Sequence, residues 1–444
     1  MHLLQGTALR QYTVACTCIL LKDIESRSSS RICISAEIWA RFIDFEGVRY
    51  ISSLSNSPDD GHTESIFAPS TDTAQAVDSI YVAENYLGAM QVLFCNSSTV
   101  PVVERRQRLW WRIIQLQGRC PVLVVQTDGV KLRTIAVESK EASSPHLTQS
   151  LWSVPPSEPL RLVQLEARPP AAAQLSMVAC NEPGITAYSV YWNYSIILLH
   201  AHIPGEDPTF YEGYQEGIWL LFPFKTGEKI SEIWKHGQVE SDLALILKTN
   251  YNRVARFGPQ SISQPLPTLI DLPPQDRGSR FFFEHSPLGV CSLYFETPKP
   301  APVSSLTLQK PISRHPKSFS ESYFYTTADL DDIKMIVPCQ RYVRGKRRII
   351  GLLLQFPEGR QSCVGQVRLD SLGDPLRADG HQSIWLGFSE SDHRPFVSAV
   401  VLSKPGNEAT SWLEVRFYGT LEWWFSLRQC QVCYMGKSSP PTRL

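Results

Sequence analysis

Residues 227–259, GEKISEIWKHGQVESDLALILKTNYNRVARFGP, limit most strongly what this chain can fold into. Lys229, Ile230, Ser231, Glu232, Ile233 and Trp234 alternate, which predicts a strand. Strict alternation puts Ile230 and Glu232 on one face and Lys229, Ser231 and Ile233 on the other. A second strand is predicted over 243–249, followed by a Thr-Asn-x-Asn-Arg turn and a short strand ending at Phe257-Gly258-Pro259. The pattern is one of packing and turning; it holds no nucleophile, metal cage or phosphate loop.

The same pattern recurs along the chain. Strands are predicted at 38–45 and 48–54 around a Gly47 turn, at 79–82, 88–94, 109–114, 122–126 and 132–137, and again at 349–356, 361–369, 384–388, 396–402 and 412–417. Asp128-Gly129 is a tight-turn signal. No long stretch keeps a 3.6-residue period over three turns. The fold class is therefore all-β and mainly antiparallel, expected as several prism- or sandwich-like modules joined by Pro-rich linkers. The 32 prolines cluster and place the linkers. A poorly structured start is expected over 1–36, a β module over 37–138, a linker over 139–185 and a central β module over 186–297. A Pro-rich linker over 298–332, a last β module over 333–435 and a tail over 436–444 complete the expected order. Phe45-Glu46-Gly47 and Phe356-Pro357-Glu358-Gly359 echo each other, and Phe224-Lys225-Thr226-Gly227 does so more loosely. Related modules would produce this, and so would hairpins that share an x-Gly turn.

Composition bounds the partners. Lys and Arg number 43 and Asp and Glu number 43, so no net field draws the chain to nucleic acid or an anionic membrane. No run of eighteen apolar residues predicts a membrane span. The apolar run 12–21 is followed by no small-x-small cleavage site. Eleven scattered cysteines without framework spacing predict free thiols in a reducing compartment, hence a cytoplasmic or nuclear location.

Four constellations are candidates for chemistry. His200-x-His202 places two imidazoles on one face of a strand, with Glu206 beyond its end as a third metal ligand; packing at a strand end is the other reading. Cys430-x-x-Cys433 is either half a zinc site or redox pair, or two strand cysteines. Val343-Arg344-Gly345-Lys346-Arg347-Arg348 is a basic run, either a binding patch through Arg344 and Lys346 or a solvated hairpin tip. Trp110-Trp111 and Trp423-Trp424 each place one ring on either side of a strand, leaving Trp111 and Trp424 as binding candidates or as packing.

Three resemblances add to this. Gly227, Glu228, Ile230, Ile233, Leu245, Leu247, Thr249, Asn250, Phe257 and Gly258 match the repeat of jacalin-like β-prism lectins over about residues 215–297. Those lectins place a sugar-binding Asp shortly after a closing glycine, whereas Gly289 and its neighbours from Ser286 to Leu293 hold no acid. The His200, His202 and Glu206 spacing is similar to the first metal motif of the cupins, although Tyr194 stands where that motif begins with Gly. The closing segment Gly419-Thr420-Leu421-Glu422-Trp423-Trp424-Phe425, with Ala201–Tyr211 and Arg280–Gly289, resembles filamentous-fungal proteins that carry an N-terminal F-box ahead of a β-rich region. That resemblance implies the target-binding part of a ubiquitin-ligase adaptor. Residues 1–36 depart from it: they lack the Leu-Pro-x-Glu-Ile opening, which implies a lost adaptor role or a truncated N-terminus. The expectation is a non-catalytic binding protein for a protein or glycan partner, without cofactor. The alternative is a cupin-like metal-dependent enzyme using His200, His202 and Glu206.

Overall fold

The computed structural model describes residues 28–59, 62–69, 77–96, 100–103, 106, 108–116, 121–128, 130–138, 150–166, 174–237, 242–260, 266–284, 286, 288–301, 306–316, 321–391, 394–403 and 411–439. The apolar run 12–21, Cys16, Cys18, Cys120, Gly129 and Pro169-Pro170 lie outside them. Among the described residues strands hold 55% and helical turns 3%, so the fold is all-β.

In chain order the strands are β1 Ser28–Cys33, β2 Ile38–Phe45, β3 Val48–Ser55, β4 Thr63–Phe67, β5 Ser79–Glu84, β6 Ala89–Cys95, β7 Trp110–Gln115, β8 Val122–Thr127, β9 Leu132–Val137, β10 Leu151–Trp152, β11 Arg161–Gln164 and β12 Gln174–Cys180. Then come β13 Ala187–Trp192, β14 Ile196–His202, β15 Ile218–Pro223, β16 Ile230–His236, β17 Ala244–Thr249, β18 Val254–Phe257, β19 Thr268–Asp271, β20 Ser279–Glu284 and β21 Ser292–Phe295. The last are β22 Phe324–Asp329, β23 Met335–Val343, β24 Lys346–Gln355, β25 Gln361–Gly365, β26 Leu376–Arg377, β27 Ser383–Ser391, β28 Arg394–Val401, β29 Ser411–Arg416, β30 Thr420–Phe425, β31 Cys430–Tyr434 and β32 Lys437–Ser439.

The chain forms two compact units, Met1–Pro159 with Pro169–Met177, and Leu160–Arg168 with Val178–Leu444. The first holds the sheets β1-β8-β9 and β3-β2-β4 and the run β10-β7-β5-β6. Its core gathers Ile38, Ala40, Ile51, Leu54, Ile80, Val82, Leu123 and Val125. β10 runs parallel to the start of β12, in an otherwise mainly antiparallel fold.

The second unit is built around the three-stranded sheet β14-β13-β15. From one face, Tyr188, Val190, Leu199 and Leu220 join a core with Ile230, Ile233, Leu245, Leu247, Phe257, Phe281 and Leu293. From the other face, Ala187 and Leu221 pack with Val337, Cys339, Leu353 and Val367 of the later strands. Every residue of β13 and β15 is consequently buried, and apart from Ser189 both read as apolar runs. Each such Val or Leu contributes about 1.5–3 kcal/mol by leaving water.

Five sequence expectations change. Ile230 and Ile233 share one core, because a bulge at Ser231 shifts the register between Ile230 and Glu232 and turns Ile233 back inward. β1 falls within the segment expected to be poorly structured, and β22 within the expected Pro-rich linker. Both are short and rich in Ser or Thr, and pairing with β8 and β30 holds them rather than a strong apolar pattern of their own. β10, β11 and β12 likewise lie in the segment expected as a linker. Finally, the central and last expected modules fall in one compact unit.

The internal echo is turn chemistry. Glu46-Gly47 and Glu358-Gly359 both have positive φ at each residue, but so do Arg344-Gly345 and Met435-Gly436, whose flanking sequences differ. Two consecutive positive-φ residues suit the right-handed twist of a tight hairpin, and glycine at the second adopts that conformation without steric cost.

The Gly227-Glu228 and Thr249-Asn250 stretches form one structural knot. The Glu228 carboxylate is fully buried and accepts from Thr249 Oγ1 at 2.8 Å, Lys225 N at 2.8 Å and Arg253 Nη1 at 2.7 Å. Asn250 works through its side chain: Oδ1 accepts from Lys229 N at 3.0 Å, and Nδ2 donates to Gly227 O at 3.2 Å. The left-handed residue of this turn is not Asn250 but Asn252, with φ of 58°. Glu228→Ala removes the acceptor of three donors, the buried Thr249 hydroxyl among them, and is expected to lower unfolding free energy by about 3 kcal/mol. Asn252→Gly, which suits positive φ, is expected to stay within about 0.5 kcal/mol. Urea unfolding of the two variants checks both; a loss at Asn252→Gly as large as that at Glu228→Ala would contradict this description of the turn.

Candidate functional site

The two outer strands of the β14-β13-β15 sheet carry different chemistry. On β14, the two-residue period aims His200 and His202 to one face, where Glu206 returns from the following loop. Asp207 caps the short helical turn Pro208–Tyr211 by accepting from Thr209 N, and this fixes the end of the loop. Glu206 Oε2 meets His200 Nε2 at 2.8 Å, Oε1 meets His202 Nδ1, and His202 Nε2 lies 2.7 Å from Ser189 Oγ. Phe210 stacks on the His200 ring at 4.0 Å between centroids. Burial raises the Glu206 carboxyl, but the hydrogen bonds from both histidines outweigh it and hold the pKa at about 2. An ionised carboxylate accepts only, so both imidazoles donate to it, and Nε2 of a neutral His202 ring accepts from the Ser189 hydroxyl.

Ser189, His202 and Glu206 have the connectivity of a hydrolase triad. Ser189 and His202 are each 1% exposed, however, so a substrate carbonyl has no approach to the hydroxyl. His200 and Glu206 keep 16% and 18% of their side chains exposed, and the cluster is reached from that side alone.

On the opposite side of the sheet, Leu220–Pro223 of β15 help line a cleft of about 580 Å³. Its other walls are Asn252–Phe257, Thr307–Lys310, Tyr325–Asp329, Arg360–Cys363 and Gly365. Three of these segments contain sheet edges: β18 and β22 end their sheets, and β25 pairs with β24 alone. Lys225, Arg253, Arg256, Lys310 and Arg360 line the cleft against a single carboxylate, Asp329. Glu228 neutralises Arg253 from behind. Arg256 donates to the Pro259 carbonyl, and burial lowers its pKa to about 10. Lys225, Lys310 and Arg360 enter no ion pair among the described residues. The cleft was not foreseen from sequence, where these cations stand up to 135 positions apart (360 − 225).

The remaining sequence candidates lie elsewhere. Arg344 and Lys346 are exposed at the tip of the β23–β24 hairpin. Trp111 is 2% exposed, so it offers no ring to a ligand. Trp424 is 0% exposed: residues 311–316 cover it, Nε1 donates to Ser313 Oγ at 2.8 Å, and the His315 ring meets it edge-on at 4.9 Å. Trp423 is equally buried, in the main core, so both rings of the pair serve packing. Cys430 lies in that core and Cys433 on the Trp424 side, so the two thiols sit on opposite faces of β31 and form neither a redox pair nor half a zinc site. Burial pushes the Cys430 thiol up to about 12. All eight described cysteines are free thiols. Among the described residues no helix is long and apolar enough to cross a membrane.

Compared with known proteins, the chain matches no family model and no curated protein.

Residues 311–316 are held by Glu422, whose carboxylate accepts from Ile312 N at 2.8 Å, Ser313 N at 2.9 Å and the Tyr325 hydroxyl. Burial raises the Glu422 carboxyl, but these hydrogen bonds outweigh it, and its pKa is lowered. A folded-state pKa below the unfolded value means that the contribution is complete above the unfolded carboxyl pKa, near 4.5, and fades as pH falls through the folded one. Acidification below about pH 4.5 is therefore expected to loosen these residues and raise acrylamide quenching of Trp424 fluorescence. Glu422→Gln is expected to show raised quenching already at pH 7. Equal quenching of variant and parent at pH 7 would contradict the role given to Glu422.

Proposed function

We propose that this chain is a non-catalytic binding protein whose partner is a protein presenting an extended, acidic segment to the cleft beside β15. One observation carries this reading: a cleft of about 580 Å³ that combines three sheet edges with five cations and one carboxylate. An edge strand offers unpaired N–H and C=O groups, and natural folds usually cover or charge such edges. An extended segment can pair with them as an added strand, its backbone supplying affinity and its side chains supplying specificity. The unpaired charges of Lys225, Lys310 and Arg360 favour carboxylates on that segment and speed its capture. The volume falls in the usual range for built binding clefts. If the likeness to F-box proteins extends to function, such a segment belongs to a protein delivered for ubiquitylation.

A glycan partner has less behind it. The loop from Ser286 to Leu293 holds no acidic residue to accept from sugar hydroxyls, and the two candidate tryptophans are buried. The enzyme alternative through His200, His202 and Glu206 faces the inaccessible Ser189–His202 side of that cluster.

Fluorescence polarisation with labelled Asp/Glu-rich peptides tests the proposal. Binding is expected, weakening as salt rises. The double variant Lys310→Glu with Arg360→Glu is expected to lower affinity about 10- to 100-fold, with far-UV circular dichroism unchanged. Equal affinity of the double variant would place the ligand outside the cleft. Binding on a glycan array without any peptide binding would replace the protein partner by a sugar.

A further inference from the structure

We infer that His200, His202 and Glu206 form a site for one divalent late-transition cation of the zinc class, bound at the open end of β14 with a coordination position left to solvent. The inference is independent of the peptide-binding proposal.

The three side chains bring two imidazole nitrogens and a carboxylate oxygen within 4.8 Å of one another. Two nitrogens with one oxygen suit zinc and its neighbours, whereas calcium and magnesium take oxygen donors. Zinc–nitrogen and zinc–oxygen bonds run about 2.0–2.2 Å, so tetrahedral ligand atoms stand roughly 3.3 Å apart. His200 Nε2 and Glu206 Oε2 stand 2.8 Å apart, so a small outward shift of the carboxylate admits the ion. Glu206 is carried on the loop between β14 and the turn Pro208–Tyr211, while both histidines are anchored in the sheet; the shift falls on the loop.

The surroundings orient the ligands. Coordination at His202 Nδ1 requires the ring proton on Nε2, and Ser189 Oγ lies 2.7 Å away to accept it. A ligating histidine is ordinarily held through its second nitrogen in this manner. Phe210, stacked on His200, fixes the plane of that ring. Among the described residues Glu206 pairs with the two imidazoles and with no Lys or Arg, so an incoming cation displaces no resident positive side chain. The partial exposure of His200 and Glu206 marks the entry side and leaves room for a water ligand.

The test is titration of chelator-treated, full-length protein with ZnCl₂ by calorimetry, and with CoCl₂ by absorption spectroscopy. One zinc per chain is expected, and a cobalt spectrum without a thiolate charge-transfer band. His200→Gln and Glu206→Gln are each expected to weaken zinc binding at least 10-fold while retaining the parent circular dichroism. Ser189→Ala, which removes the proton acceptor but no ligand, is expected to weaken it about 10- to 100-fold. Should His200→Gln fail to fold, Glu206→Gln on the exposed loop decides. No stoichiometric zinc binding, a thiolate band in the cobalt spectrum, or an unchanged affinity in the folded ligand variants would overturn the inference.

Discussion

Both faces of the β14-β13-β15 sheet are excluded from water except at the His200–Ala201 end of β14, and the second unit depends on that fact. A sheet covered on both sides cannot use polar alternation, so β13 and β15 are buried at every position. It joins the strands before it and after it in chain order into one contiguous core, from Leu165 to Tyr434. It also leaves the accessible polar side chains at its margins. β14, at one side, carries His200 and His202, and β15, at the other, helps line the cleft.

The clustered histidines show how burial decides chemistry. Ser189, His202 and Glu206 have the right connectivity for acyl transfer, yet the serine is sealed beneath the sheet that packs on this face. A hydroxyl in that position orients an imidazole but meets no substrate. A small cation needs far less access than a substrate, and the exposed flank of His200 and Glu206 supplies it.

Much of this architecture was legible in the residues. The strand at 38–45, the hairpin tip at Arg344-Gly345 and the all-β class follow from period-two patterning and x-Gly turns, which are local signals. The face assignment of Ile233 was not legible, because a bulge at Ser231 leaves no mark in the alternation. Nor was the burial of Trp424: its cover is residues 311–316, a Pro-containing stretch that reads as linker until Glu422 is seen to hold it. The His200, His202 and Glu206 cluster was visible because its members lie within seven positions of one another (200–206). The cleft was invisible for the opposite reason. Its cations and edges come from five separate segments, and only the tertiary fold brings them together.

Sheet edges are where an antiparallel fold is least satisfied, and here β18, β22 and β25 meet at one charged cleft rather than being covered separately. The central claim is that these edges are a binding surface. Hydrogen–deuterium exchange, with and without a saturating acidic peptide, tests it most directly. Slowed exchange confined to the outward amides of Val254–Phe257 and Phe324–Asp329 is the result this account predicts. Peptide binding that leaves both strands exchanging at their free rates, while protecting amides elsewhere, would contradict it.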